Sequence, residues 1–323
     1  MRPITSRQNW SWAALTAAAL TLAACTPEQE LETPVTCSQE LQLCQVNVFL
    51  EVEEFEFLRQ NGAVILDARS GDDYLNGHIP GAIHGSWRAF VDPDRNGILW
   101  DDESLLEDAA RDLGLNGDEV VAIYGPGGTR DSAAGRLFWT LEYLGHENVY
   151  LLNGGFDAWT AAGYDGLTAG EFTPERGTFE LNIRDDIRAT FDEVEAAIYD
   201  ETLRLVDTRT IEEWEGDEDA LRGNPWGGHI PEAIHYHWED AIGEDGLLRD
   251  REEIRAELEA LGIVPGTLAI PYCQSGVRSG YFYAILSWLD FPEDKNYDGS
   301  WWEWSRVMED PNGEPTPLPG ETE

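Results

Sequence analysis

VILDARSGDDYLNGHIPGAIHGSW, residues 64–87, returns later in the chain as RLVDTRTIEEWEG from residue 204 and GGHIPEAIHYHW ending at residue 238. Asp67-Ala-Arg69 matches Asp207-Thr-Arg209, and Gly77-His78-Ile79-Pro80 matches Gly228-His229-Ile230-Pro231. The second copy carries eleven extra residues around GDEDALRGNPW. Further on, Leu113-Gly114-Leu115 matches Leu261-Gly262-Ile263, and NGGFDAW (Asn153 to Trp159) matches DGSWWEW (Asp298 to Trp304). Two copies of this length are two domains rather than a solenoid. Copy one is expected over 46–168 and copy two over 189–312, with a linker at 169–188 and a tail at 313–323.

Each copy reads the same way. A short apolar run (Ala63–Leu66, Leu203–Val206) ends in Asp-x-Arg. A GHIP loop follows, then an acidic amphipathic helix with Leu105, Leu106, Ala109, Ala110 and Leu113 in copy one and Ile254, Leu258 and Leu261 in copy two. A second strand (Val120–Tyr124, Thr267–Tyr272) leads through a tight loop into a second helix (Ser132–Leu144, Gly280–Leu289). Alternating strands and helices predict an α/β fold: two tandem domains, each a parallel sheet flanked by helices. Function then belongs at the carboxyl ends of the strands.

That rule singles out the loop from Cys273 to Ser279, CQSGVRS. A nucleophile between a buried strand and a helix N-terminus meets converging backbone N–H groups and the positive end of the helix dipole. Arg278 adds a full charge, and together these favour thiolate over thiol. The same donors, from Gln274, Ser275, Gly276, Val277, Arg278 and Ser279, would cradle an anion. The reading requires the thiol to lie beneath a concave opening. Aligning Arg130 with Arg278 puts Gly125 where copy two has Cys273, so copy one lacks the nucleophile. Asp207 and Arg209 are expected either to support the Cys loop or to form an ion pair closing the strand end; His229, with a twin in His78, is expected to be structural.

Charge sets a constraint. The 323 residues hold 63 acidic and 21 basic side chains, a formal net charge of −42. Such a surface repels nucleic acid, and an anionic substrate would need local positive potential. Four cysteines are too few for a disulfide scaffold, although Cys37 and Cys44 fit a bridge in an oxidising compartment. No metal site and no cofactor is expected.

The Asp-x-Arg, GHIPGA-type segment, Cys loop and closing GSW-x-EW (Gly299 to Trp304) together make the chain similar to tandem-domain rhodaneses, the thiosulfate/3-mercaptopyruvate sulfurtransferase family. The resemblance spans about 46–312. It implies a catalytic second domain, a persulfide on Cys273, a covering first domain, and a small-molecule sulfur donor and thiophilic acceptor as partners. Thiosulfate is the favoured donor, to cyanide or a thiol; 3-mercaptopyruvate transfer and a non-enzymatic sulfur-binding scaffold are the alternatives. CQSGVRS matches neither the C-R-K-G-V-T nor the C-G-S-G-V-T pattern and resembles bacterial thiosulfate-type loops beginning C-Q. Animal enzymes place a second Arg four residues beyond the Asp-x-Arg arginine; here Glu213 stands there, which argues against strong thiosulfate binding. Phosphatase-like enzymes place the Arg one residue further from the Cys than Arg278 lies.

At the N-terminus, Arg2 and Arg7 precede an apolar run from Trp12 to Ala24 that is short for a membrane span and fits a secretory signal. Leu22-Ala23-Ala24-Cys25 resembles the bacterial lipobox. It implies a signal peptide at 1–24, lipidation of Cys25, an acidic tether at 25–45 and an extracytoplasmic, lipid-anchored protein at the bacterial outer membrane or periplasmic face.

Overall fold

A computed structural model describes residues 47–308, apart from 165, 201, 265, 292 and 293. Cys25, Cys37 and Cys44, the leader and tether, and the 313–323 tail lie outside the described residues.

The first half runs β1 (Phe49–Leu50), α1 (Val52–Gln60), β2 (Val64–Asp67), α2 (Gly71–Asn76), β3 (Ile83–His84), α3 (Glu103–Asp112), β4 (Val121–Tyr124), α4 (Ser132–Tyr143), β5 (Val149–Leu152) and α5 (Gly155–Ala161). Its five strands pair in parallel in the order β1-β5-β4-β2-β3. Parallel neighbours need crossover helices, which cover both faces, so both sides of each strand must be apolar. In β2, Ile65 packs with Leu50, Phe55 and Tyr124 on one face. Leu66 packs with Ile123, Leu137 and Phe138 on the other.

The second half runs α6 (Phe191–Ala197), β6 (Leu203–Asp207), α7 (Ile211–Glu215), β7 (Ile234–His235), α8 (Arg251–Ala260), β8 (Leu268–Tyr272), α9 (Val277–Trp288) and α10 (Ser300–Val307). Strands β7-β6-β8 form its parallel sheet. A parallel bridge between Arg188 and Asn296 extends it, with Lys295 and Tyr297 donating to the carbonyls of Ala269 and Pro271 on β8. The strand order therefore repeats that of the first half, with the last two positions shortened. Helix α9 starts at Val277, earlier than the Gly280 the pattern predicts. Gly276, at φ 72°, turns the chain directly into the helix and places Arg278 and Ser279 in its first turn.

The predicted linker is tied down along much of its length. Gly177 and Phe179 donate to the carbonyls of Arg111 and Leu115, and Phe179 is buried in the core. Both halves belong to one compact unit, and one apolar cluster runs through both. Helices α4 and α9 cross where glycine lets backbones approach: a Cβ on Gly135 would lie 2.3 Å from Tyr281 Cα, and one on Gly280 would lie 3.0 Å from Arg136 Cα. Around this crossing the halves exchange matching clasps. Leu99 N–H donates to Asp298 Oδ2 at 3.0 Å, and Leu248 N–H donates to Asn153 Oδ1 at 3.0 Å. Each clasp belongs to a loop lying against the other half's post-strand loop. Gly97 meets Ser275, while Gly246 and Leu247 meet Gly128 and Gly154.

Candidate active site

β8 ends at Tyr272 and delivers Cys273 into the turn before α9. The turn is held from below by the GSW segment. Ser300 Oγ accepts from the N–H groups of Cys273 (3.1 Å) and Gly276 (2.9 Å) and donates to the Tyr297 carbonyl (2.7 Å). Trp301 and Trp302 donate their N–H groups to the carbonyls of Cys273 and Gln274. Trp301 is buried against Trp226 and Arg209 and so belongs to the core. The expected cradle of amides from 274 to 279 needs correction: the Gly276 N–H is taken by Ser300 and is not free for the sulfur. The N–H groups of Ser279 and Ser275 do face Cys273. The Ser279 hydroxyl stands 3.7 Å from Sγ and hydrogen-bonds Asn296 Oδ1 at 2.7 Å.

Burial alone would push the Cys273 thiol up. The Arg278 charge, the Ser279 and Ser275 amides and the Ser279 hydroxyl outweigh it and hold the thiol below its ordinary value. Arg278 does not offer an open fork. Its Nη1 and Nη2 bind Glu213 at 2.6 and 3.0 Å. Gln274 is pinned in the same way, donating to Glu213 at 2.9 Å and accepting from Asn224 at 2.6 Å. Val277, half-buried, opens α9. Glu213 itself is 2% exposed, closes the α7 capping box with Thr210, and also receives Arg222. Burial opposes its charge, but Arg278 and Gln274 prevail and bring its carboxyl down to about 2. The residue that reads in sequence as a substitution against anion binding is thus the counter-ion of the loop's arginine.

The thiol is closed off from solvent, whereas the sequence reading asks for it to lie beneath a concave opening. Cys273 is 1% exposed. A Cβ on Gly97 of the first half would lie 2.4 Å from the Ser275 carbonyl oxygen, so the clasp loop sits directly on the Cys loop. A cavity of about 520 Å³ that includes Arg188 and Asp298 in its wall does not take in Cys273.

Asp207 and Arg209 do not touch the sulfur. Arg209 Nη2 bridges Asp207 (2.5 Å) and the Gly228 carbonyl (2.6 Å), fastening the end of β6 to the GHIP turn. Asp67, Arg69 and Gly77 repeat this at 2.6 and 2.7 Å in the half that has no thiol. His229 stacks on Trp214 and meets its carbonyl at 3.0 Å, as His78 does with Tyr74 at 2.9 Å. These pairs close strand ends in both halves.

The equivalent loop of the first half is occupied by its own side chain. Phe156 and Asp157 donate to the carbonyls of Gly125 and Pro126 as Trp301 and Trp302 do to Cys273 and Gln274, which sets Gly125 at the place of Cys273. A Cβ there would lie 2.3 Å from Asp131 Oδ1, and this oxygen accepts from Gly127 N–H at 2.6 Å. A buried carboxylate fills the space where the other half holds sulfur; burial, against the Gly127 N–H, pushes it up to about 7. Gly155, at φ 55°, stands where Ser300 stands at φ 53°.

Glu213, Ser300, Asn296, Asn224 and the Gly97 loop were not among the predicted site residues. Glu213 and Ser300 do fall inside the repeated blocks, where comparing the copies exposes them. Among the described residues no cluster of three or more His, Cys, Asp or Glu is placed to hold a metal ion, and no helix is long and apolar enough to cross a membrane.

The family described as "Rhodanese-like domain" matches residues 51–162 and 190–307. A thiosulfate sulfurtransferase of Azotobacter vinelandii is 33% identical over 256 residues, covering 77% of this chain and 90% of its own length. The crystal structure of SseA from Escherichia coli, described as a 3-mercaptopyruvate sulfotransferase, superposes with a TM-score of 0.69 at 28% identity, over 79% of this chain and 99% of that one. A structure of an EanB variant carrying a cysteine persulfide, with ergothioneine, gives 0.74 at 25% identity, over 84% and 71%.

Proposed function

The chain belongs to the rhodanese-like family of sulfurtransferases, and from that premise we propose that it moves sulfane sulfur from thiosulfate to a thiophilic acceptor through a persulfide on Cys273. The thiolate attacks the outer sulfur of thiosulfate. The S–S bond of the donor breaks and sulfite leaves with the electron pair. Cyanide or a thiolate then attacks the outer sulfur of the persulfide, leaving as thiocyanate or a new persulfide and restoring the Cys273 thiolate. The N–H groups of Ser275 and Ser279 hold the negative sulfur at each stage.

One observation carries the reading. Cys273 is the free thiol among the described residues, and it sits at a helix N-terminus with two amides, a hydroxyl and a guanidinium around it. Its burial means that turnover requires the packing around the Cys loop to open, and the Gly97 loop, which lies on Ser275, is part of that packing. Arg278 spends its fork on Glu213 rather than on a dianion, which supports weak thiosulfate binding and keeps the less highly charged 3-mercaptopyruvate as a second donor. Mass spectrometry after treatment with thiosulfate should show one added sulfur atom on the Cys273 peptide. Cys273→Ser should lose both adduct and turnover while remaining folded. Turnover by that variant would overturn the mechanism.

The same proposal extends to placement. Leu22-Ala23-Ala24-Cys25 supports cleavage before Cys25, lipidation and an extracytoplasmic anchor. Metabolic labelling with a radioactive fatty acid should mark the native chain and not Cys25→Ala.

A further inference from the structure

Arg136 is fully buried in the half that lacks the thiol. Its Nη2 donates to the Gly97 carbonyl at 2.6 Å and stands 3.9 Å from Asp298, while Nε and Nη1 have no hydrogen-bond partner. Burying a guanidinium with two unpartnered nitrogens costs stability, and an apolar side chain of similar size would avoid the cost. The rings of Trp139 and Trp87, with centroids 4.7 and 5.8 Å from its Cζ, offset part of that cost but give the two nitrogens no acceptor. Its direction points to a further role. A Cβ on Gly276 would lie 2.2 Å from Arg136 Nη1, so the guanidinium lies against the Cys273 loop from across the interface between the halves.

Charge bookkeeping around the loop reinforces this. From α9, Arg278 faces Cys273 but is balanced by Glu213 of α7, which Arg222 also reaches. Asp207 and Arg209 at the end of β6 neutralise each other. Asp298 serves both Arg188, at 3.0 Å, and Arg136. Two guanidinium groups share the Asp298 carboxylate, while Glu303 of α10 faces Arg188 and Asp298 and is itself faced by Arg95. Burial pulls Arg136 down to about 10, still cationic at neutral pH.

The fold supplies its own control. At the α4–α9 crossing the counterpart of Arg136 is Tyr281, whose backbone meets Gly135 as that of Arg136 meets Gly280. The half with a thiol receives a cation from its partner; the half with a carboxylate in the cradle receives a neutral phenol. Resting on the sulfurtransferase reading, we propose that Arg136 is a positioning residue of the sulfur site, donated by the non-catalytic half, whose charge holds the Cys273 sulfur in its anionic form.

The test is the pH profile of Cys273 alkylation by iodoacetamide in the full chain, read on the Cys273 peptide by mass spectrometry. Changes in how often the cover opens alter the limiting rate, whereas the midpoint reports the thiolate. Arg136→Met should move the midpoint upward by about one pH unit, a roughly tenfold loss of thiolate at neutral pH. Arg136→Lys should keep most of the native midpoint, and Asp298→Asn, which removes the shared carboxylate, should lower it. A folded Arg136→Met protein with the native midpoint would overturn the proposal, as would Lys shifting it as far as Met. Should Arg136→Met fail to fold, Asp298→Asn decides: an unchanged midpoint overturns the proposal. Persulfide formation from thiosulfate is scored separately on the native chain, so its failure defeats the donor reading while the alkylation midpoints still judge Arg136.

Discussion

Glu213→Gln separates the loop's architecture from its charge. The carboxyl sits near 2, against an ordinary 4.5, because Arg278 and Gln274 outweigh the penalty of burial. A fall of that size corresponds to linkage on the order of 3 kcal/mol. The sign follows from the direction: with the folded value depressed, the contribution is complete above about 4.5 and lost as pH falls through 2. Glutamine keeps the size and one acceptor but not the charge, so it should cost about 3 kcal/mol at pH 7. That deficit should shrink below pH 4.5 and approach zero near 2. Urea unfolding of both proteins over pH 3–8, with unchanged m-values, measures it. Freed from its counter-ion, Arg278 should also lower the alkylation midpoint of Cys273. A deficit independent of pH, or below about 0.5 kcal/mol at pH 7, would refute the claim that this ion pair organises the loop.

Ser300→Ala leaves two buried N–H donors and one carbonyl unpaired, so it should destabilise by about 2–4 kcal/mol in denaturant titration. Ser300→Gly should recover about 1 kcal/mol of that, because φ is 53° there. Gly97→Ala would set a methyl 2.4 Å from the Ser275 carbonyl oxygen at a φ of 109°. It should force the clasp off the Cys loop and raise the limiting alkylation rate of Cys273 several-fold, at a cost of about 1–3 kcal/mol in stability.

The sheets were legible because both faces are covered, which turns a buried parallel strand into a short apolar run. β2, β4, β6 and β8 all show it. β1 has two residues and the Arg188–Asn296 bridge only one pair, too little for any periodicity to register. The nucleophile's loop was legible from its place after β8. Its contacts with the other half were not, because Gly97 and Arg136, which lie against Ser275 and Gly276, are far away in sequence and reach the loop through the packing of α4 on α9 and the Leu99–Asp298 clasp. Glu213 was visible as an oddity, but its partner Arg278 was not. Nothing local tells whether an acid repels a substrate anion or holds a neighbouring arginine.

The reciprocal clasps of Leu99 with Asp298 and Leu248 with Asn153 have a further consequence. They give the molecule the plan of a two-fold dimer written on one chain, in which each half roofs the other's post-strand loop. A cut in the exposed stretch around residues 169–172 would sever the connection without touching either roof. The two fragments should therefore reassemble as a heterodimer, and the Cys273 loop of the second fragment alone would lack its contacts with Gly97 and Arg136.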